Sequence, residues 1–217
     1  IIIAQDPYQG FVGALVKSIA NFFGNKKIKL VIENHGDFEN SIFIQKKVSD
    51  SKLNKKIFNW LARFSLKRVD ALRGVSQATI DQLKRWNNDV PVVKFPAWTD
   101  IDVFEKVERF DKEMSGRIVF AGALAPIKGV EDLIKAFKQV KDEFPQAELL
   151  IVGREDDQQY VKSLRDLISQ LDIVDSVEFL GEVNQEELAG IFSQADIFTL
   201  PSLSEGLGRV VFEAMAT

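Results

Sequence analysis

The 217-residue sequence contains no cysteine and a single histidine, His35. The lack of cysteine excludes disulfide bonds, thiolate nucleophiles, iron–sulfur clusters and cysteine-based zinc sites. A lone histidine also excludes a zinc site built on a histidine pair. No apolar run approaches the roughly 20 residues of a membrane-spanning helix, and the first residues lack the basic segment of a signal peptide. We therefore expect an ordinary globular chain, 46% hydrophobic and 28% charged, without a transmembrane segment.

Acidic residues are few in the first half of the sequence, and basic residues are few in the second. Residues 1–95 contain 16 Lys and Arg against 8 Asp and Glu, whereas residues 96–217 contain 12 against 24. This asymmetry has two explanations: the charges only cover solvated faces, or the chain forms two domains that bind different partners. On the second interpretation we expect a first domain over 1–95, a linker over 96–104 and a second domain over 105–217.

Both ends of the sequence lack the residues that usually begin or end an element. Residues 1–4 have the pattern of a strand that begins at the first residue. Residues 212–217 have the pattern of a helix that ends without a cap or a helix-breaking residue. We expect an internal fragment of a longer protein, in which both domains are incomplete.

Short apolar runs alternate with segments of helical periodicity. The predicted strands are residues 1–4, 29–33, 71–75, 92–95, 117–122, 148–153, 177–180 and 197–200. The predicted helices are residues 12–23, 52–68, 77–86 with Ser76 as its cap, 130–143, 158–171, 185–194 and one that begins within 206–215. Continuous apolar strands are typical of parallel sheets covered on both faces. The pattern predicts an α/β protein with doubly wound sheets, which bind ligands beyond the carboxyl ends of the strands.

The loop over residues 201–209 has the composition of a ligand site. Gly206 and Gly208 precede a predicted helix, where backbone N–H groups and the helix dipole favour an anion. Glu205 and Glu213 are eight residues apart, so their carboxylates could bracket an extended ligand. A capped helix with a solvated Glu213 is the alternative.

Lys128 follows a predicted strand and precedes a predicted helix, beside Gly129. A lysine in this position suits a phosphate contact, although an ordinary surface lysine would look the same. The surrounding residues match neither the P-loop nor the G-x-G-x-x-G pattern.

Four segments together resemble the retaining glycosyltransferases of family 4, which have the GT-B fold. They are residues 122–129 (G-R-L-x-P-x-K-G in the family), 148–153 (L-x-I-V-G), 177–181 (V-x-F-x-G) and 201–216 (P-S-x-x-E-G-x-G-x-x-x-x-E-A-M-A). Residues 33–37 resemble the family's H-G-D-like loop. The resemblance implies two Rossmann-like domains that face a cleft, with the acceptor bound by the first and the nucleotide-sugar donor by the second.

The resemblance implies roles for the matched residues only. His35 and Glu205 would be catalytic, with His35 at the reaction centre and Glu205 on the hydroxyls of the donor sugar. Glu213 would hold the nucleotide ribose, and Lys128 the leaving diphosphate. The full set implied to bind the donor is Gly122, Lys128, Val183, Glu205, Gly206, Leu207, Gly208 and Glu213.

One position departs from the family pattern. Ala123 stands where the family usually has an arginine that shares the diphosphate charge with the lysine. A charge-assisted hydrogen bond contributes about 1.5–3 kcal/mol, so we expect weaker donor binding unless Arg154 or Arg209 substitutes.

The implied activity is that of a hexosyltransferase that retains anomeric configuration. It would move a sugar from a nucleotide-diphosphate-sugar to a hydroxyl of a glycan or lipid-linked acceptor, with no metal and no cofactor beyond the nucleotide sugar. This activity would serve polysaccharide or glycolipid biosynthesis in the cytoplasm. A non-catalytic or degenerate nucleotide-sugar-binding module, and a sugar-nucleotide epimerase of the same fold, remain open.

Basic and aromatic residues lie close together in the first half. They are Lys26, Lys27, Lys29, Lys46, Lys47, Lys55 and Lys56, with Phe22, Phe23, Phe43, Phe58 and Trp60. Such segments suit peripheral contact with the inner face of a membrane and an anionic acceptor, whereas core packing is the commoner role of the aromatic rings. The chain carries no nucleic-acid-binding motif, and we expect no nucleic-acid partner.

Overall fold

The computed structural model describes residues 1–24, 27–45, 48–96, 99–108 and 114–217. The chain forms two compact units, one of residues 1–98 with Ser204–Leu207 and one of residues 99–203 with 208–217. Each unit contains a four-stranded sheet whose neighbouring strands are parallel. The predicted α/β class is therefore confirmed.

The first unit has the strand order β1-β2-β3-β4. Its elements are β1 (Ile2–Ala4), α1 (Gly10–Phe22), β2 (Leu30–Asn34), α2 (Ser41–Ile44), α3 (Lys52–Leu66), β3 (Ala71–Gly74), α4 (Gln77–Trp86) and β4 (Val92–Lys94). Leu30 and Ile32 on β2 are completely buried, and they pack with Ala14 of α1 and Leu66 of α3. The predicted cap of α4 is confirmed, because the Ser76 hydroxyl accepts a hydrogen bond from a main-chain N–H of the first turn.

The second unit has the strand order β7-β6-β5-β8. From β5 the chain adds β6 and β7 on one side, and β8 then pairs with β5 on the other side. Its elements are α5 (Asp102–Glu105), β5 (Arg117–Ala121), α6 (Val130–Glu143), β6 (Glu148–Val152), α7 (Gln158–Gln170), β7 (Val177–Gly181), α8 (Gln185–Ser193), β8 (Ile197–Thr199) and α9 (Arg209–Ala216), with single 3-10 turns at Pro126–Lys128 and Val174–Ser176.

Both faces of this second sheet are covered, as its continuous apolar strands predict. Along β5, Phe120 packs with the buried side chains of α6 and α7, whereas Val119 and Ala121 pack with those of α5 and α8. Side chains of a strand alternate between the two faces, so consecutive apolar residues such as Val119, Phe120 and Ala121 bury both faces of β5. The reversal of the strand order at β5 and β8 together with helices on both faces makes this sheet doubly wound.

The helices α2 and α5 are not evident in the sequence, because each is one turn long and too short to show a period. The helix α5 lies in the segment predicted to be a linker, residues 96–104. Its Phe104 is completely buried in the second unit, 6.1 Å between ring centroids from Phe192. Ala97 and Trp98 of the same segment lie outside the described residues, so the linker stays a prediction.

The turn before α6 depends on glycine. Gly129 has a φ of 68°, in the left-handed region, and a Cβ there would stand 2.2 Å from the carbonyl oxygen of Pro201. We expect Gly129→Ala to lower the free energy of unfolding by more than the ~1–2 kcal/mol cost of the left-handed conformation alone, measured by urea denaturation. The matched control is Gly190→Ala within α8, where a Cβ meets nothing within 4 Å and helix propensity favours alanine by about 1 kcal/mol. Equal effects of the two substitutions would contradict this account of the turn.

Candidate functional site

The loops that follow β5, β6, β7 and β8 are hydrogen-bonded to one another at the carboxyl edge of the second sheet. The main-chain bonds run from the N–H of Gly122 to Val152, of Leu124 to Arg154, of Gly153 to Gly181, and of Leu203 to Ile127, at 2.7–2.9 Å. Two of the predicted donor-binding residues, Gly122 and Lys128, therefore lie in a fixed layer of backbone at the edge where open α/β sheets bind ligands.

Glycine at position 153 allows two of these loops to touch. A Cβ on Gly153 would stand 1.9 Å from the carbonyl oxygen of Gly122, and the φ of Gly153 is 145°. No side chain fits at this point, so main-chain atoms rather than side chains line this part of the edge.

The strand order places Lys128 and α9 at the topological switch of the sheet. Lys128 ends the 3-10 turn after β5, and Gly208 is the N-cap residue of α9 after β8. Because β5 and β8 are neighbours from which the chain winds in opposite directions, the crevice between their loops is where such sheets bind ligands. A lysine and a helix N-terminus at this crevice both favour a negatively charged group.

Glu213 lies one helical turn after Arg209 on α9 and is half-buried. Its burial raises the pKa of the carboxyl above the ordinary value, and the charge of Arg209 opposes this effect in part. A partly desolvated carboxylate forms strong hydrogen bonds with hydroxyl donors, which is the chemistry that holding a ribose requires.

Val183 lies between β7 and α8, where its side chain packs against the buried cluster that includes Val152, Ala189 and Phe192. The loop is fixed by Asn184, whose side-chain oxygen accepts a hydrogen bond from the N–H of Glu187 at 2.8 Å. The main chain of residues 181–184, rather than the Val183 side chain, is thus available to a ligand.

The segment Ser204–Leu207 belongs to the first unit, together with His35. A Cβ on Gly206 would stand 1.6 Å from the carbonyl oxygen of His35, so the two main chains are in direct contact. Glu205 lines a cavity of about 400 Å³ with Gly36 and Asp37. The first unit therefore brings together His35, Glu205 and Gly206, three of the residues that the resemblance implies for the site.

His35 lies beside an ion pair of the first sheet. Its Nε2 lies 3.0 Å from Oε2 of Glu33, and Arg73 Nη1 donates to Oε1 of Glu33 at 2.5 Å. His35 directly follows β2, and the register of β2 with β3 sets Glu33 beside Arg73. Burial raises the pKa of Glu33, but the hydrogen bonds and charges of Arg73 and His35 outweigh burial and hold that pKa below its ordinary value.

A buried polar network holds the loop that carries His35. The side chain of Asn34 is buried, its amide donates to Gln82 Oε1 at 3.0 Å, and its oxygen accepts from the N–H of Gly36. The amide of Gln82 in turn donates to carboxylate oxygens of Asp37 and Glu39, at 2.6 and 2.8 Å. The loop that carries His35 is thereby tied to α4.

Sequence reasoning missed Glu33, Arg73 and Gln82. The spacing of two residues between Glu33 and His35 is a signal that could have been used, because Glu33 lies near the end of a strand and His35 directly follows that strand. The partnership of Glu33 with Arg73 depends on strand register, and that of Asn34 with Gln82 on the packing of α4. Neither follows from a single sequence.

The aromatic residues that were predicted to meet a membrane divide into two groups. Trp60 on α3 is exposed, as are Phe22 and Phe23, whereas Phe58 packs edge-to-face against Tyr8 with 4.9 Å between ring centroids. Three of the predicted basic residues, Lys26, Lys46 and Lys47, lie outside the described residues. Within the described ranges no helix is long and apolar enough to cross a bilayer, and no group of three or more His, Asp or Glu could hold a metal ion.

The fold has close counterparts among solved structures. Sucrose-phosphate synthase from Thermosynechococcus elongatus superimposes with a TM-score of 0.74 at 23% identity, over 99% of this chain and 53% of the enzyme. HepE from Anabaena, solved with UDP and glucose, gives a TM-score of 0.70 at 23% identity, over 99% of this chain and 56% of that protein. These likenesses define the class of protein as one with the GT-B fold.

Residues 102–217 match the family model described as Glycosyl transferases group 1. Among curated relatives, O-antigen chain mannosyltransferase RfbU of Salmonella typhimurium is 30% identical over 77% of this chain and 46% of its own length. A GDP-mannose-dependent phosphatidylinositol monomannoside mannosyltransferase of Corynebacterium glutamicum is 32% identical over 68% of this chain and 42% of its own length. The chain belongs to the group 1 glycosyl transferases, and it spans about half the length of these relatives.

Proposed function

We propose that the chain is the core of a retaining glycosyltransferase that moves a sugar from a nucleotide-diphosphate-sugar to a hydroxyl of a glycan or lipid-linked acceptor. The observation that carries this proposal is the coincidence of the family match over residues 102–217 with the packed loops at the carboxyl edge of the second sheet. In the reaction, the bond between sugar C1 and the phosphate oxygen breaks, and a bond from C1 to the acceptor oxygen forms on the same face. The hydroxyl proton of the acceptor passes to the leaving phosphate, so no other reactant is required.

The second unit supplies the donor site in this proposal. Lys128 and the N-terminus of α9 neutralise the leaving diphosphate, and Glu213 takes the hydroxyls of the ribose. The main chain around Gly122, Gly208 and Val183 lies against the phosphates and the base. Since fixed protein charges take the place of a cation, the proposal includes no metal and no cofactor beyond the nucleotide sugar.

The first unit supplies the catalytic residues in this proposal. His35 acts at the reaction centre, Glu205 holds hydroxyls of the transferred sugar, and the backbone of Gly206 and Leu207 contacts the same group. Glu33 is a positioning residue, because it touches His35 at one carboxylate oxygen and is held by Arg73 at the other.

Product analysis tests the activity. We would incubate the chain with UDP-, GDP- and ADP-sugars and an acceptor glycoside in the presence of EDTA, and follow the products by NMR. Release of the nucleoside diphosphate with a glycoside of unchanged anomeric coupling supports the proposal. An inverted product would contradict retention, and loss of turnover in EDTA would contradict metal independence. A new nucleotide sugar would indicate an epimerase, and binding without turnover a degenerate binding module.

We propose that Arg154 compensates for Ala123. Its carbonyl oxygen accepts a hydrogen bond from the N–H of Leu124, the residue that follows Ala123. Its guanidinium lies 3.7 Å from a carboxylate oxygen of Asp156. We expect Arg154→Ala to weaken nucleoside-diphosphate binding about tenfold, the effect of one charge-assisted hydrogen bond, measured by calorimetry. Adding Ala123→Arg to that variant should restore the affinity. An unchanged affinity in Arg154→Ala would assign the compensation to another group.

We further propose that the protein acts in the cytoplasm at the inner face of a membrane. The helix α3 supports this location because it exposes apolar side chains beside basic ones, namely Leu53, Ile57 and Trp60 with Lys52, Lys55 and Lys56. Basic helices with exposed aromatic and aliphatic residues bind anionic lipid surfaces. Sedimentation with vesicles of phosphatidylglycerol tests the proposal, which requires that Trp60→Ala reduce the bound fraction.

A further inference from the structure

Gln82 of α4 is a polar side chain buried against the loop that carries His35, and it is only 5% exposed. Its Nε2 donates to a carboxylate oxygen of Asp37 and to one of Glu39. Its Oε1 accepts from the amide of Asn34 at 3.0 Å. Both N–H groups and the oxygen of this amide are therefore used, and their partners lie on both sides of His35 in the sequence.

The two carboxylates fix the direction of this chain of hydrogen bonds. A carboxylate only accepts, so the N–H groups of Gln82 must face Asp37 and Glu39. The oxygen of Gln82 then faces Asn34, whose own N–H groups point to it, and the oxygen of Asn34 accepts from the N–H of Gly36 at 3.4 Å. An amide has nearly the same shape in either orientation, so its partners decide which orientation it adopts.

The two carboxylates are themselves held in place. Oδ1 of Asp37 accepts from two main-chain N–H groups of the turn that leads into α2, at 3.0 and 3.3 Å. Glu39 accepts from Trp86 Nε1 at 2.6 Å and from Arg85 at 3.2 Å. Because Gln82, Arg85 and Trp86 are three and four residues apart, they share one side of α4. This helix therefore presents a polar side to the loop.

Glu33 and Gln82 act on different parts of His35. Glu33 contacts the imidazole ring, whereas Gln82 acts on the main chain through Asn34, the residue before His35, and through Asp37. A partner of the ring can fix its rotation, but the position of the ring also depends on the main chain to which it is attached. The two holds are therefore complementary.

We infer that Gln82 is a positioning residue for the proposed transfer reaction. By orienting Asn34 and holding Asp37, it sets the main chain on both sides of His35 and thereby places the imidazole at the reaction centre. The inference rests on the proposed function, in which His35 acts at that centre, and it assigns Gln82 an effect through His35. A displacement of a reacting group by about 1 Å can lower a rate about 10²-fold, so loss of this hold should appear in turnover.

Gln82→Met tests the inference, because methionine has nearly the size of glutamine but no amide. We expect kcat to fall about 10- to 100-fold with an unchanged KM for the donor, measured as release of the nucleoside diphosphate from UDP-, GDP- and ADP-sugars. In the His35→Ala background the substitution should have no further effect, since it acts through His35. The matched control is Gln77→Met on the same helix, where an exposed amide donates to Asp81 at 2.9 Å; it should leave kcat unchanged.

Gln82→Glu separates the hydrogen bonds from the packing of this side chain. The cavity that Glu205 lines also borders Gln82, and its described lining carries the carboxylates of Asp37, Glu39, Asp81 and Glu205 and the guanidinium of Arg85. Neighbouring negative charges favour the protonated form of a carboxyl, which again has an O–H donor and a C=O acceptor. We expect the kcat of Gln82→Glu, relative to the unchanged chain at the same pH, to rise as the pH is lowered. The same ratio for Gln82→Met should stay constant.

The resonances of His35 provide a readout that does not need activity. His35 is the single histidine of the chain, so its imidazole protons are identified without ambiguity in an NMR spectrum. Gln82→Met should shift them, and Gln77→Met should not. Urea denaturation of the same samples shows whether each variant is folded. Phe38 keeps the loop anchored in both variants, because it is buried and contacts the rings of Tyr8 and Trp86.

Unmoved His35 resonances, a loss confined to the KM for the donor, or a further loss in the His35→Ala background would each overturn the inference. If Gln82→Met does not fold, the pH dependence of Gln82→Glu decides, and a ratio that does not change with pH overturns the inference. Absence of nucleoside-diphosphate release by the unchanged chain would instead count against the proposed function. In that case the His35 resonances alone decide whether Gln82 positions His35.

Discussion

Replacement of Lys128 by alanine should lower the affinity of the chain for a nucleoside diphosphate about 10- to 100-fold and leave the affinity for the nucleoside unchanged. Lys128 ends a turn that is fixed at the carboxyl edge by the hydrogen bond from Leu203 to Ile127. In the proposed site its ammonium group meets the diphosphate, where a charge-assisted hydrogen bond contributes about 1.5–3 kcal/mol. The nucleoside lacks phosphates and therefore cannot sense the change. Calorimetric titration with both ligands separates the two affinities.

Two further variants complete this experiment. Lys128→Arg keeps the charge and should retain most of the affinity. The matched control is Lys162→Ala on α7, where an exposed lysine pairs with Asp166 one turn away, at 2.6 Å. Such pairs contribute only about 0.3–0.5 kcal/mol to stability, so nucleotide binding should not change. A parallel loss for the nucleoside would show that Lys128→Ala damages the fold of the loop rather than the phosphate contact.

Replacement of His35 by alanine should lower turnover about 10²- to 10³-fold without a change in the affinity for the nucleoside diphosphate. A group that stabilises charge at the reaction centre commonly has an effect of this size, and in the proposal His35 is such a group. Turnover is followed as release of the nucleoside diphosphate from its sugar, with the donor that binds in titration. A loss confined to KM for the donor would place His35 in binding rather than in catalysis.

Glu33→Gln tests whether Glu33, which contacts both His35 and Arg73, positions the imidazole of His35. The substitution preserves the size of the side chain but removes the charge that holds both His35 and Arg73. We expect a fall in kcat of about tenfold, with donor affinity unchanged and no effect of Glu178→Gln, an exposed position on β7. Because Glu33 would act through His35, Glu33→Gln should have no further effect in the His35→Ala background. Additive losses would contradict a positioning role.

The elements of the fold were largely predictable from periodicity, because apolar strands and amphipathic helices carry their pattern locally. The helix α4 spans Gln77–Trp86 and α6 spans Val130–Glu143, as predicted. The helix α5 was not predictable, since a single buried Phe104 among charged residues has no period. Phe104 is buried because it packs with Phe192 of α8, and this contact forms only when the chain folds.

The loops of the candidate site could be predicted from chain order alone. Lys128 and Gly122 follow β5, and the rule that ligands bind beyond the carboxyl ends of strands points to their loop, but only the family resemblance names them as donor-binding residues. The contact of Glu33 with Arg73 depends instead on strand register.

The most direct test of the donor site is a calorimetric titration of the chain with UDP, GDP and ADP, alone and as their sugar conjugates, beside Glu213→Ala. The proposed site predicts that one nucleotide binds and that Glu213→Ala weakens the diphosphate and the nucleoside alike, because both carry the ribose. Glu143→Ala, at an exposed position on α6, should bind as the unchanged chain does. A folded chain that binds none of these nucleotides, or binds one equally well after Glu213→Ala, would contradict the assignment of the donor site to the second unit.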